Sequence, residues 1–243
     1  MLKRTGKLLI LAAFLAAICS FAQPWQIDNS QVTGYVVDLK KNSLQLYWKD
    51  DKGQPLKSIS NLKTMLGSTG WKLVFAMNGG MYKTDNSPLG LFVQNGKDIT
   101  KLNTKTGEGN FYMQPNGVFL ISKAGGASIC KTSQYPTVKN VQFATQSGPM
   151  LVIDGKINSL FKEGSANLNV RNGVGILPDG KAIFAISKEP INFYDFAAYF
   201  QQQGCKNALY LDGFVSRMYL PEKSWEQTDG NFGVIIGVAK PKL

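Results

Sequence analysis

Four polar clusters that contain glycine lie where apolar segments of the chain end or begin. They are Asn78-Gly79-Gly80, Gln146-Ser147-Gly148-Pro149, Arg171-Asn172-Gly173 and Asp212-Gly213. Glycines beside polar side chains let a ligand approach the backbone closely, and loops at the ends of strands are common binding sites. Each cluster alone is also compatible with a plain turn. Together, the four clusters predict a shared binding cleft.

Some chemistries are excluded by composition. No histidine occurs in the 243 residues. Ser-His-Asp triads, Cys-His pairs and HExxH zinc sites are therefore excluded, because each needs an imidazole that titrates near neutral pH. The chain has three cysteines, too few for a zinc site of four thiolates. Catalysis by this chain must use other side chains.

The elements that position the clusters are predicted from turn residues and apolar periodicity. Hairpins are expected at Asn95-Gly96, Asp154-Gly155 and Pro178-Asp179-Gly180, because an apolar run precedes each turn. Further strands are expected within residues 32–39, 44–48, 73–77, 208–211 and 233–238. One helix is capped by Ser58 or Ser60 and runs through Leu66, with Gly67 as its stop, and another is capped by Asn192 and terminated by Gly204. The pattern predicts a single α+β domain with a largely antiparallel or mixed central sheet and a few helices.

Residues 1–22 have the pattern of an export signal. Three basic residues precede an apolar stretch at residues 8–18, and Ser20-Phe21-Ala22 forms a small-x-small cleavage site. The apolar stretch is too short to span a bilayer comfortably, and Ile18 before Cys19 disfavours lipidation. We therefore predict cleavage after Ala22, a periplasmic or secreted domain of residues 23–243, and no stable membrane insertion after cleavage.

The remaining chain is basic. Removal of residues 1–22 leaves 24 Lys and Arg against 16 Asp and Glu, a net charge of +8. No run of five or more basic residues occurs, so the charge is dispersed. An exported basic protein meets anionic glycans, phosphodiester polymers or lipid head groups more often than nucleic acid. Cys130 and Cys205 remain after cleavage, as a disulfide or as two free thiols.

The order of the clusters resembles the phosphodiester glycosidase family. The similar motifs are Asn78-Gly79-Gly80, Pro88-Leu89-Gly90, Ser147-Gly148-Pro149, Arg171 to Gly175 and Leu211-Asp212-Gly213, and the resemblance covers about residues 73–238. The family includes N-acetylglucosamine-1-phosphodiester alpha-N-acetylglucosaminidase, the uncovering enzyme, and small exported bacterial proteins, which this chain resembles more closely. Phe214-Val215 stands where the family usually has two glycines, a departure that bears on sugar specificity and activity.

The resemblance implies hydrolysis of a glycosyl phosphodiester. Because the leaving group is a phosphate monoester, protonation of the departing oxygen matters less than in ordinary glycosides. Asp212 is expected to be the catalytic carboxylate, since it follows an apolar strand where burial raises a carboxyl pKa. Arg171 is expected to bind the phosphate, because guanidinium donates two parallel hydrogen bonds. The residues expected to contact the substrate are Asn78, Gly79, Gly80, Gln146, Ser147, Gly148 and Ser216.

A second carboxylate, if the reaction uses one, is expected to be Asp85 or Asp195. Asp195 has an alternative role as a first-turn charge that favours the helix dipole. No cofactor is expected to be required, and a bound divalent cation such as calcium stays an open alternative, since nothing resembles an EF-hand loop. The expected partner is an anionic carbohydrate or sugar phosphodiester, with no nucleic acid.

Two other functions are compatible with the sequence. A non-catalytic module that binds anionic glycans or envelope polymers would keep the fold and lose turnover through Phe214-Val215. A serine acyl-enzyme of the β-lactamase type is suggested by Ser60-Asn61-Leu62-Lys63, Thr84-Asp85-Asn86 and Lys105-Thr106-Gly107. The intervals between these three motifs are too short for the helical domain of that fold, which places this alternative last.

Overall fold

The computed structural model describes residues 29–212 and 215–242. The predicted export signal and the Gly213-Phe214 pair lie outside the described residues. The strands are β1 (Val32–Val37), β2 (Leu44–Tyr47), β3 (Trp71–Asn78), β4 (Phe92–Gln94), β5 (Lys97–Thr100), β6 (Gly117–Ser122), β7 (Ala127–Lys131), β8 (Val141–Ser147), β9 (Met150–Ile153), β10 (Lys156–Ile157), β11 (Asn172–Ile176), β12 (Ala182–Ser187), β13 (Ala208–Asp212), β14 (Met218–Leu220), β15 (Trp225–Glu226) and β16 (Ile235–Pro241). The α-helices are α1 (Ile59–Ser68) and α2 (Phe193–Gln202), and short 3-10 helices lie at Asn29–Gln31, Asn110–Tyr112, Thr132–Thr137 and Pro221–Lys223.

The strands form three sheets. The strand order is β1-β12-β11-β13-β9-β10 in the first sheet, β15-β14-β3-β16-β2 in the second and β5-β4-β8-β6-β7 in the third. Every strand pair within the described ranges is antiparallel. The α+β class with largely antiparallel pairing is therefore confirmed. The strands are divided among three sheets, where the sequence analysis expected one central sheet.

The three sheets share one hydrophobic core. Phe184 on β12 packs against Phe75 on β3 of the second sheet, with ring centroids 5.3 Å apart, and against Phe119 on β6 of the third sheet, at 5.7 Å. All three rings are completely buried. Buried aromatic side chains contribute large contact areas to a core, so this contact fixes the sheets relative to one another. The strand ends around the core are therefore held in fixed positions.

The two α-helices cover the outer faces of two sheets. The Asn192 side chain caps α2 by accepting a hydrogen bond from the Asp195 backbone N–H at 2.9 Å. The buried residues of α2 pack on the first sheet. Ser58 caps α1 in the same way, and α1 packs on the second sheet and ends at Ser68, so it continues through the predicted stop at Gly67. Within the described part of the chain, no helix is long and apolar enough to cross a membrane.

The predicted hairpins are confirmed. The strands on either side of Asn95-Gly96 are β4 and β5, those around Asp154-Gly155 are β9 and β10, and β11 and β12 flank residues 178–180. Asn95 and Asp154 adopt positive φ angles of 53° and 49°, as these tight turns require. The sequence analysis missed β6, β7, β8, β14 and β15, although Gly125-Gly126 lies between β6 and β7.

The two cysteines beyond the predicted export signal are free thiols in the structure. Cys130 is half-buried on β7, whereas Cys205 is buried after the end of α2. Burial raises the pKa of both thiols, that of Cys205 to about 12. Both thiols are therefore protonated and weakly nucleophilic at neutral pH.

Candidate functional site

Three side chains meet where the first and second sheets adjoin. Asn172 opens β11 and pairs in register with Asp212, which ends β13, and Asn78 ends β3 of the second sheet. Asn78 Nδ2 donates a hydrogen bond to Asp212 Oδ2 at 3.1 Å. Asn172 Nδ2 donates to Asn78 Oδ1 at 2.8 Å, and Asn172 Oδ1 accepts from the Asp212 backbone N–H at 2.8 Å. This network, Asn78-Asn172-Asp212, orients the Asp212 carboxylate.

Two predicted serines support the backbone around Asp212. Ser147 Oγ donates to the Leu211 carbonyl at 2.7 Å, and Ser216 Oγ donates to the Asp212 carbonyl at 2.8 Å. Both serines are buried. The two hydroxyl groups therefore hold the end of β13 in place. Both serines lie next to Asp212, but neither lines the cavity that opens over it.

A cavity of about 390 Å³ opens over Asp212. Asp212, at the end of β13, forms one side, and two loops supply the rest. The lining residues are Met81, Tyr82, Lys83, Thr84, Leu89, Glu108, Gly109, Asn110, Phe111, Tyr112 and Asp212. Burial, and secondarily the Asp212 charge, raises the pKa of Tyr82, so its hydroxyl stays protonated and available as a donor. The cavity thus combines ring surfaces with a carboxylate and several hydrogen-bond donors.

Arg171 lies behind this cavity. Its side chain is completely buried. The guanidinium donates to three neutral partners: from Nε to the Ile191 carbonyl at 2.7 Å, from Nη2 to the Asn167 carbonyl at 2.9 Å and from Nη1 to the Tyr210 hydroxyl at 3.3 Å. Burial lowers the pKa of Arg171, and Tyr210 opposes this change. The expected phosphate-binding cation is therefore enclosed by protein groups.

Gln146 is also enclosed. Its Oε1 accepts from the backbone N–H groups of Leu91 and Asn103, at 3.0 and 2.9 Å. Its Nε2 donates to the Asn103 carbonyl at 2.7 Å and to Thr132 Oγ1 at 3.2 Å. All of the strong hydrogen-bonding positions of the amide are thus used inside the protein. Gln146 holds the loop that carries Asn103 against β8, and it does not line the cavity.

The predicted glycines allow close packing of protein groups behind the site. A Cβ on Gly80 would lie 2.7 Å from the Gln146 carbonyl oxygen, and one on Gly148 would lie 2.6 Å from Asn116 Cβ. A Cβ on Gly79 would lie 2.9 Å from Val234 Cγ1. These distances are shorter than a real Cβ tolerates, so glycine is required at these positions by neighbouring protein atoms.

The two proposed second carboxylates have structural partners and do not line the cavity. Asp85 is exposed, and hydrogen bonds from the Ser87 hydroxyl and backbone lower its pKa. Asp195 accepts a hydrogen bond from Asn192 Nδ2 at 2.7 Å in the first turn of α2, and burial raises its pKa despite this bond. The second carboxylate among the described lining residues is Glu108. Glu108 lies outside the four polar clusters, and the sequence analysis did not name it.

Asn172 belongs to the Arg171-Asn172-Gly173 cluster, but the sequence analysis did not name it as a site residue. Ser60 and Lys63 lie on the exposed side of α1, and the Lys63 amine sits 4.8 Å from the Tyr219 ring centroid. Among the residues described, no group of three or more acidic or cysteine side chains is placed to hold a metal ion.

The chain belongs to the phosphodiester glycosidase family. The family profile matches residues 72–236, a range that contains the Asn78-Asn172-Asp212 network. The chain is also 37% identical over 214 residues to the uncharacterized protein YigE of Escherichia coli K12, with 88% of this chain and 82% of that protein covered.

Solved structures share the fold. The catalytic domain of zebrafish N-acetylglucosamine-1-phosphodiester alpha-N-acetylglucosaminidase, auto-inhibited by its pro-peptide, superposes with a TM-score of 0.59 and 15% identity over 86% of this chain and 82% of that one. A putative exported protein from Burkholderia pseudomallei K96243 gives a TM-score of 0.56 and 12% identity, over 85% and 73% of the two chains. A hypothetical protein from Synechocystis gives 0.53 and 14%, over 86% and 59%.

Proposed function

We propose that this protein hydrolyses glycosyl phosphodiesters and that Asp212 is its catalytic carboxylate. One observation carries the proposal: Asp212 lines the 390 Å³ cavity while the buried Asn78 amide donates a hydrogen bond to its Oδ2. A carboxylate held by a buried network is pre-organised, which is what stabilisation of a developing charge requires. Membership of the phosphodiester glycosidase family supports the same reaction.

The reaction breaks the bond between the anomeric carbon and the phosphate oxygen. The phosphate monoester departs with the electron pair, and water supplies a hydroxyl group to the sugar and a proton to the solvent. Since the departing group is already a stable anion, the site needs little acid catalysis. Asp212 either accepts the proton of the attacking water or stabilises the positive charge that develops on the sugar ring.

The phosphate is proposed to lie on the side of the cavity formed by residues 81–84 and 108–112. Within the described ranges, Lys83 is the cation that lines this space, and its exposed amine can reach a phosphate oxygen. Asn110 and the hydroxyls of Tyr82 and Tyr112 supply neutral donors. Tyrosine rings and Phe111 offer apolar surface to the sugar, a combination of surface and donors that ligand sites commonly have.

We further propose that residues 1–22 direct export and are removed after Ala22. The basic start, the apolar stretch and the small-x-small site support this proposal. The substrate would then be met in the periplasm or outside the cell. Mass spectrometry of the protein recovered from the periplasm or medium tests it, with a mature N-terminus at Gln23 as the expected result.

The function is tested by incubating residues 23–243 with a panel of sugar-1-phosphodiesters and measuring release of the phosphate monoester. Asp212→Asn is expected to lower kcat by about 10³-fold or more, the order of effect seen when a catalytic group is removed. Asp85→Asn is the matched control, because Asp85 is an exposed carboxylate outside the cavity. Full activity of Asp212→Asn would refute the proposal. Binding without turnover by the unchanged protein would instead support the non-catalytic binding module.

A further inference from the structure

Arg171 is a buried cation that has no acidic partner among the described residues. It is the largest of the side chains that are completely buried. Its hydrogen-bond acceptors are the carbonyls of Ile191 and Asn167, the Asn167 side chain and the Tyr210 hydroxyl, all of which are neutral. No carboxylate in the described ranges lies within ion-pair distance of the guanidinium. A buried charge is costly unless it is paired, so this arrangement calls for an explanation.

Arg217 shows the contrast. Its Nε and Nη2 donate to Asp229 Oδ1 and Oδ2 at 2.8 and 2.9 Å, a two-point ion pair that neutralises the side chain. Arg217 is partly exposed, whereas Arg171 is not. Of these two arginines, the one that is shielded from water, Arg171, is therefore the one whose charge is not neutralised by a carboxylate.

The unneutralised charge lies directly behind the cavity wall. Tyr210 precedes Asp212 by two residues on β13, and the charge of Asp212 acts on the Tyr210 hydroxyl. The Tyr210 hydroxyl accepts from Arg171 Nη1. Burial raises the pKa of Tyr210, and the neighbouring Asn110 side chain, which lines the cavity, has a smaller effect that lowers it. One hydroxyl therefore connects Arg171 with the cavity wall.

Packing fixes the orientation of the guanidinium. Its central carbon lies 3.7 Å from the centroid of the Phe193 ring and 5.5 Å from that of Tyr210. The Phe193 and Tyr210 rings contact each other edge to face, with centroids 4.8 Å apart. Ring faces attract cations, which offsets part of the cost of burial. Arg171 is consequently held at a fixed distance from the cavity and cannot swing into it.

We propose that Arg171 is a positioning residue that makes the Asp212 cavity selective for anions. Its charge attracts an anionic group from behind the wall, and its hydrogen bond fixes the Tyr210 hydroxyl beside Asn110 on that wall. The identification of the anion as the phosphate of a diester rests on the proposed function. Because the charge is buried, its attraction is screened little by salt, unlike that of the exposed Lys83.

The test compares two small probes that differ in charge and need no turnover. Dimethyl phosphate is an anionic diester, and trimethyl phosphate is a neutral compound of similar shape. The affinities of both for residues 23–243 are measured by NMR titration, and their ratio gives the anion preference. The unchanged protein is expected to prefer dimethyl phosphate by about tenfold or more, a modest effect for one charge. Equal affinity for the two probes would overturn the proposal.

Variants then locate the source of the preference. Arg171→Met is expected to abolish it, and Arg171→Lys to restore part of it, because lysine keeps the charge but not the full set of hydrogen bonds. Arg217→Met is the matched control, since its charge is already neutralised, and the preference should persist. A folded Arg171→Met variant that keeps the anion preference would overturn the proposal. An equal loss of the preference in Arg171→Met and Arg171→Lys would also overturn it, because that result indicates a purely structural role.

A second measurement serves if Arg171→Met does not fold. Lys83 is exposed, so Lys83→Met is expected to fold normally. In this variant the remaining anion preference should persist between 0.05 and 0.5 M salt, a range over which exposed charges are progressively screened. Disappearance of the preference at high salt would overturn the proposal. Failure of the sugar diesters to turn over would refute the proposed function alone, because neither titration depends on hydrolysis.

Discussion

The substitution Asn172→Ala tests whether the Asn78-Asn172-Asp212 network supports both the fold and the site. Asn172 is completely buried at the start of β11. Its Nδ2 donates to the Asn78 carbonyl at 3.1 Å and to Asn78 Oδ1 at 2.8 Å, and its Oδ1 accepts from the Asp212 N–H at 2.8 Å. Alanine removes all three hydrogen bonds and adds no partner for the groups left behind.

The expected cost follows from these contacts. Each hydrogen bond contributes a net of about 1 kcal/mol. The Asp212 N–H is buried and loses its acceptor, which costs about another 1–3 kcal/mol. Asn78 Oδ1 keeps the hydrogen bond from the Arg217 N–H at 2.9 Å, so it adds no comparable penalty. The free energy of unfolding should therefore fall by about 4–6 kcal/mol, a large part of the total stability of a typical domain.

Urea unfolding followed by circular dichroism measures this change. The control is Asn61→Ala, which removes one side-chain hydrogen bond, from Nδ2 to the Leu56 carbonyl, at an exposed position on α1. This control is expected to change stability by less than about 1 kcal/mol. If hydrolysis is detected in the unchanged protein, folded Asn172→Ala should also lose activity, because Asp212 loses its support. A change in stability no larger than that of the control would refute the reasoning.

Two further predictions concern packing and thiol chemistry. Gly80→Ala is expected to lower the free energy of unfolding by about 2 kcal/mol or more, because the new Cβ would contact Thr145 and lie 2.7 Å from the Gln146 carbonyl oxygen. The control is Gly126→Ala, whose Cβ would come no closer than 3.6 Å to a neighbour, and its free energy of unfolding should be nearly unchanged. Cys205 should resist iodoacetamide at pH 8 in the folded protein and react after unfolding in guanidinium, since burial raises its pKa to about 12; rapid labelling of the native protein, measured by mass spectrometry, would contradict this.

Much of the local structure could be predicted because short-range chemistry determines it. Asn95-Gly96 forms a hairpin turn in almost any context, and Asn192 caps a helix with a side chain that reaches the backbone three residues later. The strands β6 and β7 were missed although they form a local hairpin around Gly125-Gly126. The strands β8 and β14 were missed as well, and they pair with β4 and β3, which lie far from them in the chain.

The candidate site shows a sharper division. Asn78 and Asp212 were predicted from their positions at strand ends, and the structure joins them by a hydrogen bond. Arg171 and Gln146 met the same criterion, yet the structure directs both side chains into the protein. A polar residue at a strand end can face a cleft or the interior. The choice depends on which acceptors and rings surround it, such as Phe193 beneath the Arg171 guanidinium.

The sequence by itself determined the absence of imidazole chemistry, the helix caps and hairpin turns, and the α+β class, because each depends on residue types or on contacts within a few residues. The ordered clusters also carried the family resemblance. Only the tertiary structure decided that three sheets meet around Phe184 and that the ends of β3 and β13 adjoin. It also placed Lys83 and Glu108 on the cavity wall and Arg171 behind it. Those positions arise from packing between segments far apart in the chain, which no local pattern encodes.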